Sequence, residues 1–316
     1  MNDPARTRPA RALTAVLLLL ALVGVACSQT GTPGRADPPT PSTTAPAATP
    51  PLAAPPQGSG RYPTYVALGD SYTAAPLVPT TDINNGCLRS TGNYPALVAA
   101  ALPGTRLVDV SCSGADSSSM VGVQETGNQA QSAQFDALSK GTDLVTVGIG
   151  GNDFNLFGTM IGTCAQLRSA DPHGAPCQAK FTRGGTDVLT QELHQIRGHV
   201  AAILAGIRDR APHARVVIVG YPQIVPAHGT CPSLLPLATG DYRFVRRINE
   251  GLAAALQQGA RDADAYVDVF AASAGHDICS SHPWINGQQT DPNRALAFHP
   301  FAVEQKAVAR LVLKKL

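Results

Sequence analysis

Ser71 follows the apolar run Tyr65–Leu68 with only Gly69 and Asp70 between them. Further along stand Gly114 in Ser111-Cys112-Ser113-Gly114-Ala115, Asn152 in Gly150-Gly151-Asn152-Asp153, and His299 in Phe298-His299-Pro300-Phe301. These residue types suit acyl transfer. A serine hydroxyl becomes a competent nucleophile when an adjacent base removes its proton, and the histidine pKa suits that task near neutrality. Attack on an ester carbonyl builds a tetrahedral oxyanion, which needs preorganised donors worth roughly 3 to 4 kcal/mol each. The Ser71 N–H, an unobstructed Gly114 N–H and the Asn152 side-chain amide make three such donors.

Each residue also has a plainer reading. Asp70, Ser71, Asn152 and Asp153 are all favoured helix caps. Gly114 suits an ordinary turn, and His299 is one of eight histidines. What favours chemistry is their common address. Five runs rich in Val and Ile read as strands: Tyr65–Leu68, Arg106–Val110, Leu144–Ile149, Arg215–Val219 and Ala265–Phe270. Between and after them Tyr94–Leu102, Val188–Arg210, Phe244–Ala260 and Ala302–Leu316 carry helical apolar spacing. Strands alternating with helices predict a parallel sheet covered on both faces, with right-handed crossovers. Such sheets bind ligands beyond the carboxyl ends of their strands. Ser71, Gly114 and Asn152 each follow a strand, and His299 precedes the last helix. One sheet edge gathers them.

The N-terminus predicts export. Arg6, Arg8 and Arg11 precede an apolar run from Leu13 to Ala26, which reads as a signal peptide over 1–26 and is short for a membrane span. Gly24-Val25-Ala26-Cys27 resembles a bacterial lipobox, with Gly24 where Leu is usual. Lipid attachment to Cys27 and plain cleavage at the same bond are both open, and a lipid chain there would tether the protein. Residues 27–61 are crowded with Pro, Thr, Ala and Ser, a composition that cannot bury enough apolar surface to fold and makes a semi-stiff stalk. The remaining 62–316 is expected to be one domain. A net charge of +2, with no basic run interleaved with aromatics, disfavours a nucleic-acid partner. Beyond Cys27 there are Cys87, Cys112, Cys164, Cys177, Cys231 and Cys279, an even set that in an exported chain implies disulfides. Neither a CxxC nor a His-rich spacing suggests zinc, so no metal and no cofactor is expected.

The order Gly69-Asp70-Ser71, Gly114, Gly151-Asn152-Asp153 and His299 resembles the four blocks of the SGNH (GDSL-type) hydrolase family. Cys87-Leu88-Arg89-Ser90, Asn93-Tyr94-Pro95 and the text around Gly114 are similar to the secreted esterases and lipases of actinomycetes within it. The resemblance spans nearly all of Tyr62–Leu316. It implies a three-layer αβα, flavodoxin-like fold with about five parallel strands in the order 2-1-3-4-5. It also implies a serine carboxylic-ester hydrolase working through an acyl-enzyme, with Ser71 as nucleophile, His299 as base, and Ser71, Gly114 and Asn152 forming the oxyanion hole. An O-acetyl esterase acting on cell-wall or other polysaccharide is the alternative, and a non-catalytic surface-binding lipoprotein is the alternative of another class. No G-x-S-x-G stands in support of an α/β-hydrolase elbow.

Many members carry Asp three residues before the histidine, where this chain has Leu296. Some actinomycete relatives orient the imidazole with a backbone carbonyl, so the Leu296 carbonyl is the first candidate and Asp291 the second. The implied sheet order makes neighbours of the loops holding Cys87 and Cys112, and of those holding Cys231 and Cys279. Cys164 and Cys177 share one loop. Consecutive pairing, as in the secreted relatives, is therefore expected. The expected partner is a small-molecule or lipid ester, met by a monomer that is secreted or tethered to the outer face of a bacterial membrane, with no membrane contact beyond the Cys27 anchor. Acyl selectivity falls to loops such as Leu156–Arg183 and His228–Gly240, and Trp284 belongs to a pocket or to the core.

Overall fold

Five strands, β1 (Thr64–Gly69), β2 (Arg106–Asp109), β3 (Leu144–Gly148), β4 (Arg215–Val219) and β5 (Ala265–Val267), form one parallel sheet in the order β2-β1-β3-β4-β5. The computed structural model describes residues 60–127 and 129–316; the expected signal peptide, the Cys27 anchor and the stalk up to residue 59 lie outside them. Register places Val66 opposite both Val108 and Val145, and Ile218 opposite Tyr266. The fifth strand is shorter than its apolar run, because Asp268 accepts from Ala271 N–H at 2.9 Å and caps a short helix, Val269–Ala272.

Alternation along β1 builds the three layers. Tyr65 and Ala67 join Tyr94, Val98, Val308 and Val312, the buried faces of α2 (Tyr94–Ala100) and α5 (Ala302–Leu313). Val66 and Leu68 point the other way, against Ile203, Leu204 and Ile207 of α3 (Val188–Arg210). The helix α4 (Asp241–Gly259) packs beside α3. Both faces of the sheet are covered, so its strands are apolar at successive positions rather than at alternate ones. The fold is the αβα arrangement anticipated from the resemblance. Two hairpins, Gln124–Thr126 with Gln129–Gln131 and Thr182–Arg183 with Thr186–Asp187, lie outside the main sheet.

The carboxyl edge of the sheet is cross-linked. Cys87–Cys112 ties the loop after β1 to the loop after β2, Cys231–Cys279 does the same after β4 and β5, and Cys164–Cys177 closes the long loop after β3. Among the described residues no helix is long and apolar enough to cross a membrane.

The end of β1 is held by a side chain. Pairing with β2 stops at Ala67 and Asp109. Beyond it Gln134, buried in a short turn, accepts from Gly69 N–H at 2.8 Å and donates to Gly69 C=O at 2.9 Å, acting as one more rung of ladder. Gly69 itself has φ 154°, and a Cβ there would lie 2.3 Å from Thr73 Oγ1 and 2.7 Å from Gly148 C=O. No other residue fits. Replacing Gln134 by leucine preserves volume and strands a buried N–H, so Gln134→Leu should lower stability by about 1–3 kcal/mol. Denaturant unfolding of the variant checks this, and an unchanged midpoint would contradict it.

Candidate active site

The helix α1 (Ser71–Ala74) starts immediately past β1, and Asp70 caps it by accepting from Tyr72 N–H at 2.9 Å. The capping role anticipated as the plainer reading is thus real for Asp70, and it fixes where Ser71 points. Ser71 is 7% exposed at the head of that helix, where an N–H has no acceptor within its own turn. Its Oγ lies 2.8 Å from His299 Nε2, although the two residues are 228 apart in sequence.

His299 is delivered by a laced loop. Phe298 adopts φ 60°, and its C=O accepts from Tyr72 Oη–H at 2.8 Å, so the α1 side chain grips the histidine loop directly. Phe298 N–H donates to Gly287 C=O at 3.0 Å, and Asn286 N–H donates to His299 C=O at 2.9 Å. The second ring nitrogen, Nδ1, stands 2.7 Å from the Ala297 C=O. A carbonyl only accepts, so Nδ1 carries the hydrogen and Nε2 keeps a lone pair toward the serine hydroxyl.

The imidazole orienter is therefore the carbonyl of Ala297, and neither anticipated group serves. The Leu296 C=O is engaged by His299 N–H at 3.1 Å and by Asn286 Nδ2 at 3.3 Å. The Asp291 carboxylate stays in its own turn, accepting from Asn293 N–H at 3.0 Å and facing Arg294 at 3.9 Å. The left-handed step at Phe298 turns the ring back over Ala297 rather than Leu296.

Gly114 and Asn152 sit on adjoining loops. Asn152 Nδ2 donates to Ala115 C=O at 2.8 Å, one residue past Gly114, and the amide carries a second hydrogen. Gly114 has φ 80°, and nothing but Gln124 Nε2, at 3.7 Å, stands near where a side chain would be. Among the described residues neither Gly114 N–H nor Ser71 N–H has an acceptor. Asp153 extends the bond between the two loops, accepting from Ser117 N–H at 2.8 Å and Ser117 Oγ–H at 2.7 Å.

Behind Ser71 lies a buried polar chain. Gly151 N–H donates to Tyr221 Oη at 2.9 Å, and Tyr221 Oη–H donates to Asp70 Oδ2. The Tyr72 ring stacks on Phe157 at 5.2 Å and meets Tyr221 edge-on at 5.3 Å. Burial pushes the Asp70 carboxyl up to about 7, against the opposing pull of Tyr221 Oη–H and Tyr72 N–H. Burial likewise raises Glu304 to about 8, against the hydrogen bond donated by Gln305 Nε2 at 2.7 Å. For His299 burial acts in the opposite sense and lowers the pKa, with the Ala297 C=O working against it.

Several of these residues escaped the sequence reading. Tyr221 stands just past β4, the same strand-end address that singled out Ser71, Gly114 and Asn152, and that signal was available. Asn286 and Gln305 carry no local signature, nor does His199 on α3, which bonds to Asp153 Oδ2 at 2.6 Å. Trp284 lies partly buried at the margin of the core, with its ring stacked on His276 at 4.7 Å.

The sequence pattern of the GDSL-like lipase/acylhydrolase family matches residues 67–302, and the chain belongs to that family. Lipase 2 of Streptomyces coelicolor is 37% identical to it over 256 residues, which is 78% of this chain and 83% of that protein. A lipase of Streptomyces rimosus is 32% identical over 243 residues, covering 75% of this chain and 81% of that one. Among solved structures, phospholipase A1 from Streptomyces albidoflavus NA297 superposes with a TM-score of 0.66 at 29% identity, covering 80% of this chain and 99% of that chain. The chain is a serine ester hydrolase.

A base must be neutral to accept a proton, and burial lets this imidazole stay neutral at pH values where an exposed one is charged. The acid limb of kcat/KM should accordingly have its midpoint below the ordinary histidine value of 6.5. A pH–rate profile on a p-nitrophenyl ester tests this, and a midpoint above that value would contradict it.

Proposed function

We propose that Ser71 attacks the ester carbonyl with His299 as general base. The Ser71 Oγ proton passes to His299 Nε2 as the Oγ–C bond forms, and the carbonyl π electrons move to oxygen. Ser71 N–H, Gly114 N–H and Asn152 Nδ2 receive that oxyanion. Its collapse breaks the bond to the leaving alkoxide, which takes the proton back from Nε2 and departs as the alcohol. Water then repeats the sequence on the acyl-enzyme with the same base, releasing the carboxylic acid and free Ser71. The observation that carries this reading is the 2.8 Å separation of Ser71 Oγ and His299 Nε2, with Nδ1 tied to a carbonyl.

The substrate class we infer is an ester with an apolar acyl group. Val121 and Val123, at 69% and 65% exposure, follow the Gly114 loop, and Phe154, at 43%, follows Asn152. Apolar side chains left bare so close in sequence to the oxyanion donors suit an acyl chain better than a sugar. The lipase and phospholipase names of the relatives agree with this. We further infer that the enzyme works outside the cytoplasm as a monomer. The three disulfides and the relative described as an extracellular lipase of Streptomyces rimosus support export. Cleavage before Cys27, with or without lipid attachment, fits either a tethered or a released form.

Ser71→Ala should abolish hydrolysis of p-nitrophenyl esters and labelling by a fluorophosphonate while leaving the thermal midpoint near that of wild type. Retained turnover would exclude Ser71 as nucleophile. In a series of p-nitrophenyl esters, kcat/KM should rise from acetate to octanoate. A preference for acetate would instead favour the O-acetyl esterase reading.

A further inference from the structure

Asn152 and Asp153 are followed by Phe154 at φ 55° and Asn155 at φ 57°, two successive non-glycine residues in the left-handed region. L side chains avoid that conformation, so contacts from elsewhere must hold it. One side chain from the neighbouring helix makes two of those contacts. His199, on α3, donates Nδ1–H to Asp153 Oδ2 at 2.6 Å. Its ring also stacks on Phe154, with centroids 5.6 Å apart and planes 28° from parallel.

The same carboxylate reaches the opposite loop. Asp153, only 3% exposed, receives Ser117 N–H and Ser117 Oγ–H as well as His199. Ser117 lies three residues past Gly114, and between them Ala115 accepts from Asn152 Nδ2. The two remote donors of the oxyanion site are therefore held by one latch: Asn152 to Ala115, Asp153 to Ser117, and His199 locking the strained turn from behind. Ester hydrolysis makes no chemical use of the Asp153 carboxylate or of the His199 ring. Their arrangement serves geometry.

We propose that His199 is a positioning residue for ester hydrolysis, fixing the turn that carries Asn152 and thereby the spacing between the Gly114 and Asn152 donors. The proposal rests on the reading of those two groups as oxyanion donors. A donor displaced by a fraction of an ångström still permits substrate binding but meets the transition-state charge poorly. The loss should fall on kcat.

The test compares His199→Ala, His199→Gln, which retains an N–H for Asp153, and His199→Phe, which retains the stack on Phe154. Asn152→Ala serves as reference, and full-length protein is used throughout. Asn152→Ala should lower kcat about 10²- to 10³-fold, as for direct removal of an oxyanion donor. His199→Ala should lower kcat about tenfold or more with KM within about twofold, and weaken a trifluoromethyl ketone inhibitor by the same factor as kcat/KM. The Gln and Phe variants should fall between His199→Ala and wild type. In the double variant with Asn152→Ala, the His199→Ala loss should largely disappear, since the donor it positions is already gone. Normal kcat and inhibitor affinity in all three His199 variants, with only the thermal midpoint lowered, would reduce His199 to a structural residue and overturn the proposal. Full activity in Asn152→Ala would overturn the oxyanion assignment itself, and the proposal with it. Should His199→Ala fail to fold, the Gln and Phe variants decide: loss of kcat at constant KM supports the proposal, and wild-type kcat refutes it.

Discussion

One hydrogen bond, Ser71 Oγ to His299 Nε2 at 2.8 Å, joins groups 228 residues apart, and most of the molecule serves to keep it short. Neither end is held by its own segment alone. The serine is fixed by β1, whose last residue is gripped by Gln134, and by the Asp70 cap. The histidine is fixed by Phe298 C=O, which receives the Tyr72 hydroxyl, so the residue next to Ser71 also anchors the loop of His299. Gln305 closes a second circuit, accepting from Tyr94 N–H at 2.6 Å and donating to Tyr72 C=O at 3.0 Å, which couples α2 and α5 to α1. A third tie runs outside the sheet, from Leu296 N–H to Pro76 C=O at 3.2 Å, joining the segment after α1 to the histidine loop.

Desolvation gives that framework its chemistry. The burial that lowers the His299 pKa raises those of Asp70 and Glu304, because in each case the low-dielectric surroundings disfavour charge. The consequences differ. For the imidazole, the neutral form is the one a general base needs, so desolvation suits the role proposed for His299. For Asp70 it is partly offset by donors from Tyr221 and Tyr72, which is why that chain of hydrogen bonds runs from Gly151 across to the cap. Polar groups this deep are tolerated only when partnered, and the partnering ties the loop after β3 to the head of α1.

What could be read from the sequence was what obeys local rules. Apolar runs at Tyr65–Leu68 and Leu144–Ile149 mark strands because a sheet covered on both faces has no polar alternation. Gly69, Gly114 and Asn152 stood out because a turn after a strand needs small or polar residues. The Ala297 carbonyl was beyond such rules. Every residue has a carbonyl, and which one meets an imidazole depends on a single left-handed step at Phe298 that no residue type announces. Gln134 is equally silent, since a glutamine replacing a ladder rung looks like any other glutamine. His199 is legible only once helix α3 is laid against the turn after β3, a tertiary relation that hydrophobic periodicity predicts in kind but not in register.

In the mechanism proposed for Ser71 and His299, a carbonyl behind the imidazole changes how transition-state charge is handled. A carboxylate behind the imidazole would stabilise the imidazolium that forms when Ser71 gives up its proton, whereas the Ala297 carbonyl offers a dipole and no net charge. The cationic form is thus poorly supported at the moment it appears, and burial makes that worse. The compensation has to come from the other half of the ion pair being created. In the proposed mechanism, an oxyanion met at once by Ser71 N–H, Gly114 N–H and Asn152 Nδ2 is itself the counter-charge for the imidazolium, in a medium that screens little. On this reasoning a site with a carbonyl orienter depends more heavily on the exact spacing of its oxyanion donors than one with a buried aspartate. That is a physical motive for spending a buried carboxylate, Asp153, and two strained residues on holding those donors still.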